Sequence, residues 1–293
     1  MTRPMRRRRF LTLAASFACA PHLAQAETWR GRALGAEVSV RVDGPRAEVA
    51  GLLSDIPALL ARVERAFSLY DPGSELSRLN ASGRLDAPTT LFRDLMAEAD
   101  RAHRLTGGLF DPTIQPLWQA LAQGGDPVTA RALIGWERVS ARDVIALAPG
   151  QALSFNGIAQ GFATDLVARH LAARGATRAL IDIGEQRALS GPFRLGIVDP
   201  EHGPVGQITL ANGAVATSSP GALRLGDGTH ILAPDGRAPR WSTASVASDT
   251  ATLADALSTA AVFLDRDALT ALKARAGLSH VTVIDAAGNL RRL

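Results

Sequence analysis

Residues 250–261, TATLADALSTAA, limit the possible folds of this chain more than any other stretch. The run reads as a helix of small, mostly apolar residues, and a helix of that kind suits close packing against its neighbours. Asp255 and Thr259 stand four apart, so both side chains lie on one face about one turn from each other. A carboxylate and a hydroxyl so placed suit a hard cation such as Mg²⁺, which prefers oxygen ligands. The same spacing also fits an Asp near a helix start with a Thr bonded back to a backbone carbonyl. Both readings stand on this segment alone.

The pattern around that helix indicates an α+β fold. Val38, Val40 and Val42 alternate as in a strand, and residues 47–67 carry apolar side chains at helical spacing. Helices are predicted over 89–104, 126–135, 158–174 and 265–276, with a short helical stretch over 114–122. Residues 144–147 and 152–155 are expected to form a hairpin. Strands are expected over 179–183, 193–198, 207–210, 214–217, 230–232 and 281–284. Strands and helices are interleaved without a βαβ rhythm, which argues for mixed sheets flanked by helices. With no repeat, linker or low-complexity segment, a single domain over about 27–293 is expected.

Residues 1–26 read as an export leader to be set aside from the fold. Arg6 to Arg9 form a charged start, an apolar run follows, and Ala24-Gln25-Ala26 has the small-x-small cleavage pattern. Arg7-Arg8-Arg9-Phe10-Leu11 fits the twin-arginine pattern, and a Sec route remains open. A periplasmic location is the expectation. Without the leader, the 32 basic side chains fall to 27 against 28 acidic ones, a net charge of −1. No basic patch remains to favour nucleic acid. The single cysteine, Cys19, lies in the leader, so disulfides, a thiol nucleophile and cysteine metal sites are excluded after cleavage. Nucleophile-elbow, phosphate-loop, H-E-x-x-H and G-x-G-x-x-G motifs are absent from the sequence.

Three further segments carry chemistry. Residues 67–80, FSLYDPGSELSRLN, place the only tyrosine, Tyr70, where an apolar helix gives way to turn residues. Its ring could stack on a planar ligand, but the segment alone favours a place in the core with the hydroxyl satisfied. In GGLFDP, residues 107–112, Asp111 precedes a proline and is held out of helix. Its carboxylate can accept from an imide or hydroxyl, or simply cap the next helix. NGIAQGFATD, residues 156–165, runs from a strand into a helix whose first amides can face phosphate.

Taken in order, these segments resemble the ApbE family, the FAD:protein FMN transferases. FSLYDPGSELSRLN resembles its flavin-stacking segment, GGLFDP its flavin-contacting turn, and GIAQGFATD its loop before the long helix. ALIDIG at 179–184, AVATS at 214–218, THI at 229–231 and ADALSTA at 254–260 resemble four later motifs, the last being the metal helix. The resemblance spans nearly the whole chain after the leader.

It implies Mg²⁺-dependent transfer of FMN from FAD to a Thr or Ser hydroxyl of a partner flavoprotein, with AMP released. The acceptor implied is a membrane-associated electron-transfer subunit. Leu34, Tyr70, Leu109, Phe110, Asp111, Ser154, Gln160 and Ile231 would contact FAD. The Gly157 carbonyl, Asp255 and Thr259 would hold Mg²⁺, and His230 or Asp255 would take the hydroxyl proton. The chain departs from the family pattern at several positions. Gln160 stands for Lys, Ser154 for Asp, Gly184-Glu185-Gln186 for Gly-Gly-Asn or Gly-Gly-Asp, Ser219 for Gly and Ala233 for Asp. A non-catalytic flavin carrier or assembly factor, and an FAD pyrophosphatase, are the alternatives compatible with the same residues.

Overall fold

The computed structural model describes residues 26–141 and 143–293. The leader segment before Ala26 lies outside the described residues. An eight-stranded sheet forms the centre, and every neighbouring pair in it is antiparallel. Its strands run in the order Ala26–Ala33, Ala36–Asp43, Ala179–Asp182, Gln186–Leu189, Gly213–Ser218, Thr243–Ser248, His280–Ile284 and Leu290–Arg292. The single mixed domain of helices and sheets agrees with the expected α+β class.

The two faces of the sheet are covered differently. Helices Ile56–Phe67, Thr90–Leu105, Ala159–Ala173 and Ala251–Ala261 contribute to the main core, with Val40, Ile181, Ala244 and Val246 from the strands. The Phe193–Asp199 and Gly203–Leu210 hairpin joins Leu180, Ala188, Val215 and Ala247 in a second, smaller core. The period of two explains the division: Val215 and Ala247 pair across neighbouring strands and share the hairpin side. Ser218, from the opposite set, meets Ser258 of the Ala251–Ala261 helix, with hydroxyl oxygens 2.7 Å apart.

Close packing of the small-residue helix is observed. A Cβ on Gly161 would sit 2.2 Å from the Ala251 carbonyl oxygen, so only glycine permits this crossing of Ala159–Ala173 over Ala251–Ala261. Below it, Phe67 packs against Phe92, Phe155 and Phe162, with centroids 5.4, 5.6 and 5.9 Å away. Aromatic pairs of this kind add about 0.5–1.5 kcal/mol each beyond area burial. Here they tie the segments bearing Tyr70, Gly157 and Gln160 to one another.

Several predicted elements differ. The helix expected over 47–67 is two helices, Arg46–Ser54 and Ile56–Phe67, parted at Asp55. Pro57 lacks the donor and restricts the residue before it. The hairpin expected over 144–155 does not form. Ile145–Ala146 pairs instead with Arg84–Leu85 and Ser140–Ala141. The Leu153 backbone is satisfied by a side chain: its N–H donates to Asn80 Oδ1 at 2.8 Å, and its carbonyl accepts from Asn80 Nδ2 at 2.9 Å. The strand expected over 230–232 is a bend following the short Gly228–Thr229 strand. Thr243–Ser248 was not predicted because all six residues are buried, which removes the alternating signature. Among the described residues, no helix is long and apolar enough to cross a membrane.

Candidate functional site

The 107–112 turn and the Ala251–Ala261 helix both reach Gly157. Its α-carbon is flanked by the Thr259 hydroxyl and the Phe110 ring, since a Cβ there would lie 2.8 Å from Thr259 Oγ1 and 3.5 Å from Phe110 Cε2. Gly157 and Thr259, assigned to the cation, therefore meet Phe110, assigned to the flavin. Thr259 Oγ1 also donates to the Asp255 carbonyl at 3.3 Å, the back-bond that the plainer reading of the helix anticipates.

Asp255 is buried, and its Oδ2 accepts the Gly161 N–H at 3.0 Å. The first turn of Ala159–Ala173 has no side-chain cap of its own, so this bond satisfies one of its orphan donors. Oδ1 accepts no hydrogen bond among the described residues. Burial, with the charge of Asp165 adding to it, pushes the Asp255 pKa up to about 7 despite the Gly161 bond. Asp165 is differently provided for. It accepts from the N–H groups of Ala251 and Thr252, both at 2.9 Å, and from the Thr252 hydroxyl at 2.5 Å, and it pairs with Arg187. Asp165 thereby anchors the start of the helix that carries Asp255, a role sequence reasoning missed. Its place in the quoted GIAQGFATD segment was the available signal.

Sequence reasoning also assigned Glu185 no contact. It is buried, its Oε2 accepts the Thr217 N–H at 3.2 Å, and burial followed by the Asp255 charge pushes its pKa well up. Acidic residues at 182 and 185 around an otherwise apolar strand were the available signal.

The flavin-assigned residues other than Phe110 come from separate segments. Tyr70 is 78% exposed, on a turn held from within. Ser68 Oγ accepts the Tyr70 and Asp71 N–H groups at 3.1 Å, and Ser68 O accepts the Ser74 hydroxyl at 2.6 Å. The ring is thus presented on a bonded turn, not placed in the core. Leu34 sits at the tip of the first hairpin with φ of 50°, its N–H donating to Glu64 Oε1 at 2.9 Å. A left-handed non-glycine backbone costs about 1–2 kcal/mol.

Leu109 and Phe110 are buried. Asp111 Oδ1 is taken by the Thr113 N–H at 2.8 Å and hydroxyl at 2.6 Å, which is the capping role. Ser154 is buried, and its N–H donates to the Pro112 carbonyl at 2.8 Å, laying its loop against the Asp111 turn. Gln160 is half-buried with its amide against Gly184, where a Cβ would meet Nε2 at 2.4 Å. Ile231 is half-buried against the main core. His230 Nδ1 lies 3.2 Å from the carbonyl oxygens of Pro220 and Leu223.

A cation fits the donor set around Gly157 in chemistry. Mg²⁺ commonly takes one or two carboxylates and completes its shell with water and substrate phosphates. Asp255 offers an oxygen without a hydrogen-bond partner, and Thr259 a hydroxyl beside a glycine backbone. No group of three or more His, Cys, Asp or Glu side chains suited to a metal occurs among the described residues, so carboxylates alone do not make the site.

Known proteins are similar to the chain in sequence and in fold. The model of the ApbE family matches residues 34–282. The FAD:protein FMN transferase of Vibrio cholerae serotype O1 (strain ATCC 39541 / Classical Ogawa 395 / O395) is 29% identical over 174 residues, covering 51% of this chain and 51% of that protein. The chain thus spans about half the length of the curated relatives it matches. The apo Pseudomonas stutzeri flavinyl transferase ApbE superposes with a TM-score of 0.78 at 26% identity, over 94% of this chain and 97% of that one. The Thermotoga maritima ApbE protein shares the fold, with a TM-score of 0.81 at 23% identity over 92% of this chain and 97% of that one.

Proposed function

The chain belongs to the ApbE family, and on that premise we propose that it transfers FMN from FAD to a Thr or Ser hydroxyl of a partner flavoprotein. In the proposed reaction the hydroxyl oxygen bonds to the FMN phosphorus, the bond from that phosphorus to the bridging oxygen breaks, and AMP leaves. The observation that carries the proposal is the meeting of Phe110, Gly157 and Thr259 at one point, with Asp255 one turn before Thr259.

The residues divide the work. Tyr70 offers its exposed ring to the isoalloxazine, while Leu34, Leu109 and Phe110 supply apolar surface beside it. Ser154, Gln160 and Ile231 line the remainder of the FAD path, and Asp111 fixes the turn that carries Phe110. Asp255, Thr259 and the Gly157 carbonyl would hold Mg²⁺. When bound, Mg²⁺ neutralises charge on the pyrophosphate and on the departing AMP.

His230 is suited to the hydroxyl proton. Its Nδ1 faces two carbonyl oxygens, so the neutral tautomer carries its proton there and leaves the lone pair on Nε2. Asp255 is the second candidate for that proton. The leader pattern supports export by the twin-arginine route to the periplasm. A membrane-associated electron-transfer subunit is the acceptor proposed for that location.

The test is incubation of the protein with FAD, Mg²⁺ and Thr-containing acceptor domains. Acceptor mass should rise by one FMN, less water, with AMP appearing in equal amount. Absence of FMN on every acceptor tried would overturn the transferase reading. AMP released without any acceptor would favour the pyrophosphatase instead.

A further inference from the structure

The turn that carries Leu109, Phe110 and Asp111 leaves the Thr90–Leu105 helix through two glycines. Gly107 and Gly108 have φ of 60° and 86°, a backbone that other residues rarely adopt. The same glycines give the turn many alternatives, so something must fix the residues after them. Both polar groups of the Phe110 backbone are taken by side chains at the end of that helix. The Phe110 N–H donates to Thr106 Oγ1 at 3.0 Å, and the Phe110 carbonyl oxygen lies 3.0 Å from His103 Nδ1. A carbonyl oxygen only accepts, so Nδ1 carries the proton and donates.

The His103 ring is itself held in place. A Cβ on Gly108 would lie 3.5 Å from His103 Cε1, which sets the ring against the glycine turn. The Trp136 ring lies 6.3 Å from it between centroids, and Trp136 Nε1 donates to Asp100 Oδ1 at 3.1 Å. Asp111 Oδ2 is 3.8 Å from Nδ1, too far for a hydrogen bond, so the Phe110 carbonyl is the acceptor. Residues 106–109 wall a cavity of about 380 Å³ together with Pro234, Arg237 and Leu264, and His103 is not part of that wall. Leu109, assigned to the flavin, is part of it. His103 therefore acts on a ligand there through the turn and not by contact.

We propose that His103 is a positioning residue for FAD: its Nδ1–H locks the Phe110 carbonyl, and with it the turn that presents Leu109 and Phe110 to the flavin. The proposal rests on the reading that this turn contacts FAD, and it adds a residue outside every segment of the ApbE resemblance. A turn locked before FAD arrives spares part of the ordering cost of binding. Thr106 supplies the other half of the clamp, but its hydroxyl also donates to the Ala102 carbonyl at 2.8 Å, so its loss disturbs the helix end as well. The His103 side chain makes no hydrogen bond within the helix among the described residues, so its removal spares the helix ladder.

FAD is titrated in the presence of Mg²⁺, with flavin fluorescence as the readout, into the full chain and into His103→Asn, His103→Gln and His103→Leu. The amide nitrogen of Asn hangs from Cγ, as Nδ1 does, whereas that of Gln stands one atom further out, towards the place of Nε2. His103→Leu and His103→Gln should weaken FAD binding about three- to tenfold, the worth of one net hydrogen bond. His103→Asn keeps a donor at the right atom and should stay within about twofold of the unsubstituted chain. Phe110→Leu and Leu109→Ala test the turn itself and should each weaken binding about fivefold or more through lost apolar contact. Melting temperatures of the FAD-free proteins accompany each titration.

Rescue by Asn against loss in Gln and Leu is the expected result. FAD affinity within about twofold in all the position-103 variants, with loss in Phe110→Leu or Leu109→Ala, overturns this inference and leaves the reading of the turn standing. Equal losses in the Asn, Gln and Leu variants, with lowered melting in each, overturn it in favour of ring packing against Gly108 and Trp136. Unchanged affinity in both Phe110→Leu and Leu109→Ala, or no FAD binding by the unsubstituted chain, overturns the reading of the turn and this inference with it.

Discussion

Asp199 and Asp255 are both buried aspartates of this sheet-centred domain, one on each side, and they are provided for in opposite ways. Asp199 ends the first strand of the hairpin. It accepts the Ser242 and Thr243 hydroxyls at 2.7 Å each, the Glu201 and His202 N–H groups at 2.9 and 3.0 Å, and His202 Nδ1 at 2.9 Å. Burial opposes its charge, yet the Ser242, Thr243 and His202 bonds win and hold its pKa well below the ordinary carboxylate range. Asp255 has one donor, and its pKa moves the other way. A carboxylate saturated by the fold stabilises the fold. One left short of donors retains capacity for something the fold does not provide, and that contrast supports reading Asp255 as a cation site.

Substituting the two aspartates in turn is the strongest way to break the comparison. Asp255→Asn is expected to lower FMN transfer about a thousandfold, equivalent to roughly 4 kcal/mol of barrier, with the chain still folded. Acceptor mass and circular dichroism of one preparation check both halves. Asp199→Ala should reverse the pattern. It strands two backbone donors, removes the acceptor shared by the Ser242 and Thr243 hydroxyls, and is expected to cost about 3 kcal/mol of stability in denaturant melts, with kcat of the folded fraction unchanged. Equal effects on activity from both substitutions would remove the distinction.

The sequence carried the Asp255 side of this comparison more openly than the Asp199 side. Asp255 and Thr259 share a helix, so their spacing alone places them together. Tyr70, Phe110 and Gly157 lie in short segments with turn residues that mark them. Asp199 depends on Ser242 and Thr243, which are distant in sequence and lie in an unremarkable run. Glu185 likewise finds Thr217 only through pairing of the non-consecutive strands Gln186–Leu189 and Gly213–Ser218. The strand expected at 230–232 failed for a related reason: the His230 N–H and ring are both engaged by carbonyls of the preceding turn, which no periodicity reports.

The crossing that joins Asp255 to Gly161 offers a third, smaller effect. A methyl at Gly161→Ala would collide with the Ala251 carbonyl and the Asp255 side chain. About 1–3 kcal/mol of stability should be lost, as for overpacked interiors, together with the Mg²⁺ dependence of the remaining activity. Chemical melts and Mg²⁺ titrations of that variant read the two consequences separately.

The aspartates also predict opposite slopes of stability against pH in the metal-free protein. Asp199 has a folded pKa below its unfolded value, so its contribution is present above about pH 4 and is lost as pH falls through the folded pKa. Asp255 has a folded pKa near 7, so its protonated form favours the fold below about pH 4, and that advantage disappears as pH rises through 7. Melting temperatures between pH 3 and 8 should therefore lose their acid-side fall in Asp199→Ala and their decline towards pH 8 in Asp255→Asn. The smallest expected change is at the exposed ring: Tyr70→Ala should weaken FAD binding by about 1–2 kcal/mol without altering stability, as seen when a stacking surface is removed.

The most direct test of the central claim is FAD affinity, read by flavin fluorescence with and without Mg²⁺, for the unsubstituted chain, Asp199→Ala and Asp255→Asn. The account predicts that Mg²⁺ tightens FAD binding in the first two proteins and has no effect in Asp255→Asn. Retention of the full Mg²⁺ effect in Asp255→Asn would contradict it.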